Sequence, residues 1–136
     1  MTHFYLLDTN IISELIKHPR GSIFSKIKSI GEEKICTSII VACELRFGAR
    51  KKKSPKLLAN IEVILTSLEV LPLTYPVDEY YGKIRTYLEV QGTPIGANDL
   101  LIAAHALCLN LTVITNNISE FSRVPNLKVE NWLNPE

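Results

Sequence analysis

Short apolar runs alternate along this chain with longer segments of helical periodicity, and this alternation constrains the fold more than any other feature. The runs with strand character cover residues 4–7, 34–37, 70–73, 111–115 and 127–130. Strands joined one after another by helices normally lie parallel, because a parallel connection needs a crossover of a dozen or more residues. The sequence therefore predicts an α/β fold, with a mostly parallel central sheet of four to five strands flanked by helices.

The intervening segments carry apolar residues at helical spacing and predict six helices. They lie at about residues 11–16, 23–30, 38–48, 55–68, 76–91 and 98–107. Thr9 and Asn10 are the expected caps of the first helix, Ser38 of the third and Asn98 of the last, because short polar side chains satisfy the free N–H groups of a helix start. The chain has 136 residues, so we expect a single domain over residues 1–136.

Composition and charge narrow the class of protein. Hydrophobic residues make up 46% and charged residues 21%, as is typical of globular domains, and the net charge of +1 gives no general basic coat for nucleic acid. The N-terminal apolar run stops at Asp8 without a cationic lead, so we expect no secretory signal, no membrane span and a cytoplasmic protein. One basic cluster is either a solvated helix end or an RNA contact, and it comprises Arg46, Arg50, Lys51, Lys52, Lys53 and Lys56.

The cysteines and histidines do not form a zinc pattern. Cys36, Cys43 and Cys108 include no CxxC pair and are expected to be small buried residues in a reducing compartment. The histidines lack metal-ligand spacing, and His105, on an apolar helix face, is expected to be a packed or hydrogen-bonded core residue.

Three acidic residues stand where the predicted fold brings side chains together. Asp8 ends the first strand, Glu44 lies in an apolar helix after the second, and Asp99 lies in the first turn of the helix before the fourth. Ligands of open parallel sheets bind beyond the carboxyl ends of the strands. A group of carboxylates repels itself unless a hard divalent cation neutralises it, so the pattern predicts a site for Mg²⁺, with Mn²⁺ as a substitute.

Each acid also has an ordinary explanation when it is considered alone. Asp8 and Asp99 are suited to cap helices or to face a helix dipole. Glu44 is within reach of an ion pair with Arg46 or Arg50, and Glu120 is explained equally well as an exposed side chain.

Four motifs together resemble the PIN-domain ribonucleases of the VapC toxin type. They are residues 6–11 (LLDTNI), 42–48 (ACELRFG), 92–99 (GTPIGAND) and 115–117 (TNN), the last followed by Glu120 and Phe121. Order and spacing match the family over essentially the whole chain, and residues 130–132 (ENW) are similar to the family's ending. The resemblance implies a three-layer PIN-like fold and a Mg²⁺-dependent endoribonuclease that hydrolyses RNA by metal-activated water.

The resemblance also implies roles for individual residues. Asp8, Glu44 and Asp99 form the acidic centre, with Asp8 and Asp99 as the direct Mg²⁺ ligands. Many relatives carry an aspartate at the place of Asn117, so the fourth acidic role falls either to that position or to Glu120, one helical turn on. The residues expected to hold the carboxylates or to orient water are Thr9, Asn10, Thr115 and Asn117.

Partners are implied by the family rather than by spacing. They are an RNA substrate, with transfer RNA and ribosomal RNA among the family's targets, a small antitoxin protein encoded with the toxin, and a second copy in a homodimer. The rival interpretations are a phosphatase with Asp8 as nucleophile, which usually needs a second aspartate where Asn10 stands, and a catalytically weakened PIN-like domain that binds RNA or protein. A nucleotide-binding module lacks both the GxGxxG and the P-loop pattern.

Overall fold

A computed structural model describes residues 3–133 and shows a sheet of five parallel strands. The strands are β1 (Tyr5–Leu7), β2 (Ile35–Ser38), β3 (Glu69–Leu71), β4 (Thr112–Ile114) and β5 (Lys128–Glu130). Their order across the sheet is β3-β2-β1-β4-β5, and every neighbouring pair is parallel. The predicted α/β class is confirmed. The first strand lies at the centre, where the strand order reverses, and this is the place at which open α/β sheets bind ligands.

Seven α-helices connect or follow the strands of the described chain. They are α1 (Thr9–Lys17), α2 (Ser22–Ile30), α3 (Ile39–Lys51), α4 (Pro55–Ser67), α5 (Val77–Gln91), α6 (Ala97–Leu109) and α7 (Ile118–Phe121). All six predicted helices are present, although α3 continues beyond Gly48 to Lys51. The short helix α7 and a 3-10 turn at Glu32–Lys34 were not predicted, because three or four residues are too few to show a helical period.

Two of the predicted caps are wrong. The cap of α1 is Asp8 rather than Thr9 or Asn10, and its Oδ1 accepts a hydrogen bond of 2.8 Å from the Thr9 N–H. At the start of α6 the capping position is held by Gly96, which has no side chain to bond. Asn98 therefore lies inside the first turn, and its amide is used in the site described below. At both helix starts, an asparagine that could cap the helix, Asn10 or Asn98, forms hydrogen bonds with other residues instead.

The central strands are buried on both faces. Leu6 and Leu7 of β1 and Val113 and Ile114 of β4 have no exposed surface. Helix α6 packs on the sheet through small and apolar residues, with Ile102 among those that are completely buried. Burial on both faces explains why these strands are continuous apolar runs in the sequence. It also gives the carboxyl ends of β1 and β4 a rigid support.

The cysteine prediction is correct in part. Cys36 in β2 is buried and Cys108 is half-buried, but Cys43 is exposed. The reason is its helical position, because Ile39, Cys43 and Phe47 follow one another at four-residue spacing on the solvent side of α3. Within residues 3–133, no helix combines the length and the hydropathy that crossing a bilayer requires.

His105 is a core residue, as predicted, and it joins α6 to the start of α3. The ring is fully buried, and its Nδ1 lies 2.9 Å from the Ser38 hydroxyl oxygen. The same oxygen caps α3 by accepting a hydrogen bond of 3.1 Å from the Ile40 N–H. Burial lowers the pKa of His105, and the Pro72 carbonyl partly offsets this effect. The imidazole is therefore neutral near pH 7, and one hydrogen bond joins its Nδ1 to the Ser38 hydroxyl.

Replacing Ser38 tests this connection. Ser38→Ala removes the α3 cap and leaves a buried ring nitrogen unpaired, so the free energy of unfolding should fall by about 2 kcal/mol or more. Ser54→Ala is the matched control, because Ser54 caps α4 by accepting from the Leu57 N–H at 3.1 Å. The control should lose about 1 kcal/mol. Urea denaturation followed by circular dichroism measures both, and equal losses would contradict the role of His105.

Candidate active site

A cleft of about 610 Å³ opens beyond the carboxyl ends of β1 and β4. It is lined mainly by polar side chains from α1, α3, α6 and the segment after β4, namely Asp8, Thr9, Asn10, Ser13, Glu14, Lys17, Glu44, Asp99, Asn116, Asn117 and Leu133. Asp8, Glu44 and Asp99, which the sequence identifies as candidate site residues, therefore share one cleft. Glu120 stands beside it, as described below.

Asp8 is the most deeply placed of these acids. Only 3% of its surface is exposed, and both carboxylate oxygens accept hydrogen bonds. Oδ2 accepts from the Thr115 hydroxyl at 2.8 Å, and Oδ1 accepts from the Thr9 N–H. Burial raises the pKa of Asp8, the hydrogen bonds from Thr115 and Thr9 lower it, and the charge of Glu44 raises it. The carboxylate is thus fixed in orientation by two neighbouring segments of chain.

Asn10 ties α1 to the end of β4. Its Nδ2 donates to Asp8 Oδ2 and to the Thr115 hydroxyl, each at 3.3 Å, and its Oδ1 accepts from the Asn116 N–H at 2.9 Å. The Thr115 oxygen in turn accepts from the Asn117 N–H at 2.9 Å. An amide can donate and accept at the same time, whereas a second carboxylate here would repel Asp8. This arrangement counts against a phosphatase, in which residue 10 would supply a second acid.

Glu44 is held by side chains of two other helices. Oε1 accepts a hydrogen bond from the Thr9 hydroxyl, and Oε2 accepts one of 3.1 Å from Asn98 Nδ2. Arg46 does not form the ion pair with Glu44 that was the alternative explanation for this acid, because its guanidinium binds the carboxylate of Glu62 instead. Glu44 faces the cleft and is half-buried.

Asp99 and Glu120 form a second pair of acids at the start of α6. Asn117 Nδ2 donates to Asp99 Oδ2 at 3.2 Å, and the Gly96 N–H donates to Glu120 Oε1 at 3.3 Å. The carboxyl groups of Asp99 and Glu120 are within hydrogen-bonding reach of each other. Both candidates for the fourth position therefore contact the same acid, one through an amide and the other through a carboxyl group.

The electrostatics of Asp99 reflect this crowding. Its pKa is raised to about 7, first by burial, then by the hydrogen bond with Glu120, and then by the negative charges of Asp8, Glu120 and Glu44. A carboxyl that titrates near neutrality is typical of a functional cleft. All four predicted acids thus contribute to one electrostatic environment.

The donor set fits a hard divalent cation. In residues 3–133 none of these four carboxylates forms an ion pair with Lys, Arg or His. Within the same described range, no three acidic, histidine or cysteine side chains enclose a cation by themselves. The fit to a hard divalent cation therefore rests on the carboxylate oxygens of Asp8, Glu44 and Asp99, which line one cleft.

Asn98 is a site residue whose role the sequence analysis missed. It was predicted to be a helix cap, but its amide holds Glu44. The sequence does contain a signal for this role. Gly96 can occupy the capping position and Asp99 can face the helix dipole, so the side chain of Asn98 is free to bind another residue. Only the placement of α3 beside α6 identifies that partner.

Comparison with known proteins gives similar sequences over nearly the whole chain. The family model for the PIN domain matches residues 5–127. Ribonuclease VapC2 of Rickettsia felis is 43% identical over 131 residues, which cover 94% of this chain and 97% of that protein. The tRNA(fMet)-specific endonuclease VapC of Salmonella typhimurium is 36% identical over 129 residues, covering 94% and 97%.

Solved structures agree with these sequence matches. The crystal structure of VapBC2 from Rickettsia felis, bound to a DNA fragment from their promoter, has a chain that matches with a TM-score of 0.88 and 40% identity. That match covers 95% of this chain and 98% of the other. DNA-bound VapBC from Salmonella typhimurium matches with a TM-score of 0.90 and 36% identity, covering 96% and 99%.

Asp99→Asn tests the electrostatic crowding in metal-free protein. An unfolded aspartate ionises near pH 4, whereas the folded pKa of Asp99 is about 7. Ionisation of Asp99 therefore destabilises the fold progressively as the pH rises from about 4 to 7, and this effect is constant above that range. In EDTA the variant should melt at a higher temperature than wild type at about pH 8, and the difference should disappear near pH 4.

The control is Asp78→Asn, at the equivalent first turn of α5 and away from the cleft. It should be no more stable than wild type at any pH, because it loses only a favourable contact with the helix dipole. Thermal melts of the three proteins across this pH range make the comparison. A constant difference between Asp99→Asn and wild type would contradict the raised pKa.

Proposed function

The chain belongs to the PIN-domain family and, within it, to the VapC ribonucleases, and from this premise we propose that it is a Mg²⁺-dependent endoribonuclease and the toxin of a VapBC-type toxin–antitoxin system. The observation that carries the proposal is the convergence of Asp8, Glu44 and Asp99 in one cleft beyond the ends of β1 and β4. The pKa of Asp99 is raised there first by burial, then by its hydrogen bond with Glu120 and by the charges of the neighbouring acids. Carboxylates that crowd together without a cationic partner are suited to a divalent cation and to an RNA phosphate bound with it.

The proposed roles follow from the contacts of each side chain. Asp8 and Asp99 hold the cation. Glu44, half-buried and bound by Thr9 and Asn98, orients the attacking water. When bound, Mg²⁺ supplies Lewis-acid polarisation of a phosphoryl oxygen and a lowered pKa for water. Thr9, Asn10, Thr115 and Asn117 keep the acids in place, since each donates to a carboxylate or to a residue that does.

Glu120 is our choice for the fourth acidic role. It contributes a charge to the environment of Asp99, and its carboxylate accepts from the Gly96 N–H at the start of the helix that carries Asp99. Asn117 reaches the same acid but is uncharged, so it orients Asp99 without adding to the negative potential of the cleft. Mn²⁺ presents the same preference for oxygen ligands and is expected to substitute for Mg²⁺.

The proposal extends to partners and surroundings. The related solved structures are VapBC complexes, some of them bound to DNA, which supports a small antitoxin partner for this chain. RNA is the proposed substrate class, because the related proteins are named ribonucleases and one is named for tRNA(fMet). A homodimer, a cytoplasmic location and one PIN-like nuclease domain over residues 1–136 remain predictions. Residues 1–2 and 134–136 of that range lie outside the described structure.

Metal-dependent cleavage is the first test. The purified protein should cleave RNA with Mg²⁺ or Mn²⁺ and not in EDTA, and Asp8→Asn should lower the rate by more than about 100-fold, since even residues behind a metal ligand are worth 10- to 100-fold. Glu14→Gln is the matched control. It changes a carboxylate that lines the same cleft but pairs with His18 at 3.6 Å. Its rate should stay near that of wild type, and chelator-resistant cleavage in repurified protein would exclude the metal mechanism.

The fourth acid is tested separately. Glu120→Gln keeps the size and the hydrogen-bonding capacity of the side chain but removes its charge, and the cleavage rate should fall by at least about tenfold, or 1.4 kcal/mol of barrier. Asn117→Ala should have a smaller effect. Single-turnover rates on one RNA substrate compare the two variants, and the reverse order would assign the role to Asn117.

A further inference from the structure

A groove of about 160 Å³ leads out of the acidic cleft between α1 and α3, and α4 closes its far side. Each of the two walls presents residues at four-residue spacing, so that they stand in a row on one helix face. The rows are Thr9, Ser13 and Lys17 on α1, and Glu44, Gly48 and the capping residue Lys52 on α3. We call this feature the lysine groove.

The two rows start at residues that contact each other, and each row ends on a lysine eight residues farther along its helix. Thr9 donates its hydroxyl proton to Glu44, so the first members of the rows are in contact. Both helices leave the carboxyl ends of the neighbouring strands β1 and β2. Eight residues at about 1.5 Å each place the backbone of Lys17 and that of Lys52 about 12 Å along their own helices from Thr9 and Glu44. The groove therefore leads from the acidic cleft, which Lys17 also lines, to Lys52 on the facing wall. Its floor is apolar and is formed by Ile16, Leu45, Ala49, Leu57 and Ile61.

The two lysines are available for an external partner. Both are exposed. Among residues 3–133, neither ammonium group lies within ion-pair distance of a carboxylate. By contrast, Arg46 in the same basic cluster is paired with Glu62. An ammonium group that no acid neutralises is well suited to a phosphate.

Gly48 stands between the two ends of the groove. A glycine inside a helix costs stability, so its presence calls for a reason. A Cβ atom built on Gly48 meets no heavy atom within 4 Å, which means that packing does not require glycine here. The bare backbone does keep the passage between Glu44 and Lys52 open.

We propose that the lysine groove holds the RNA strand beside the cleavage site, with Lys17 and Lys52 bound to a backbone phosphate a few nucleotides from the one at the acids. The inference rests on the proposed function. A polyanionic strand fits this arrangement, because two exposed lysines without an ion-pair partner in the described range flank the passage out of the acidic cleft. Backbone contacts of this kind position an RNA without reading its sequence.

The salt dependence of RNA binding tests the charge contacts. The probe is a short fluorescein-labelled single-stranded RNA, and its anisotropy is measured in EDTA with wild type and with the double variant Lys17→Met and Lys52→Met. Each lysine–phosphate contact contributes about 0.7 to the slope of log affinity against log salt, so the slope should fall by about 1.4. Between about 50 and 200 mM salt, wild type should lose about sevenfold more affinity than the variant.

Two further measurements separate this role from a general effect on folding. Lys83→Met on α5 removes an exposed lysine that lines neither cavity, and it should leave the slope unchanged. In Mg²⁺ the double variant should show a raised KM with kcat within about twofold of wild type, as expected for contacts made equally in the ground and transition states.

A steric variant tests the path itself. A Cβ at Gly48 meets no heavy atom within 4 Å, and the larger side chain of Gly48→Leu would occupy the groove, so RNA binding should weaken. The melting temperature of the variant is measured alongside, and it should stay near that of wild type. Gly48→Ala is its smaller control and should bind as wild type does.

The outcomes for the groove and for the enzyme are distinct. RNA binding that depends on Lys17 and Lys52 supports the groove even in a protein that cleaves nothing, in which case only the ribonuclease proposal fails. Normal cleavage with an unchanged salt slope in the double variant overturns the groove alone. Unchanged RNA binding in Gly48→Leu, together with lost binding of a co-expressed antitoxin, would also overturn it and assign the groove to a protein partner.

Discussion

The buried carboxylate of Asp8 is the constraint on which the rest of the site depends. It stands at the end of the central strand, almost without exposure, and is bound by the Thr115 hydroxyl and the Thr9 N–H. Burying an ionised group is costly unless hydrogen bonds or a cation compensate for it. The polar residues around it satisfy that requirement in part. Asn10 and Thr115 couple the first strand's end to the fourth strand's end, so the cleft is tied directly to the core of the sheet.

The other acids are brought to Asp8 by separate helices, and each has its own support. Glu44 is held by Thr9 and Asn98, while Asp99 is held by Asn117. These contacts hold the carboxylates near one another, and the pKa of Asp99 is raised to about 7, first by burial and then by the neighbouring acids. Under the proposed function, a cation that relieved this repulsion would bind only the native state, and its binding would therefore stabilise the fold.

Much of the fold was predictable because it rests on local patterns. The apolar runs identified all five strands, and the helical periods identified the six longer helices, since burial on both faces of a sheet leaves a continuous signal. The errors have physical causes as well. The capping role of Asp8 was one of the two interpretations of that acid, whereas the caps expected at Asn10 and Asn98 were wrong because both side chains are bound to distant residues. The exposure of Cys43 was not predicted, because apolar neighbours in the sequence do not show which face of the helix is exposed to solvent.

The sequence by itself determined the alternation of strands and helices, the parallel sheet and the set of acidic residues that the motifs mark. Helical periods, strand patterns and sequence motifs each involve residues that lie close together in the chain, so the sequence alone reveals them. Only the tertiary structure decided which side chains hold those acids, that Arg46 pairs with Glu62 rather than Glu44, and that Lys17 and Lys52 line a shared groove. These contacts join residues far apart in sequence, and their distances depend on how α1, α3 and α6 pack on the sheet, which no local pattern encodes.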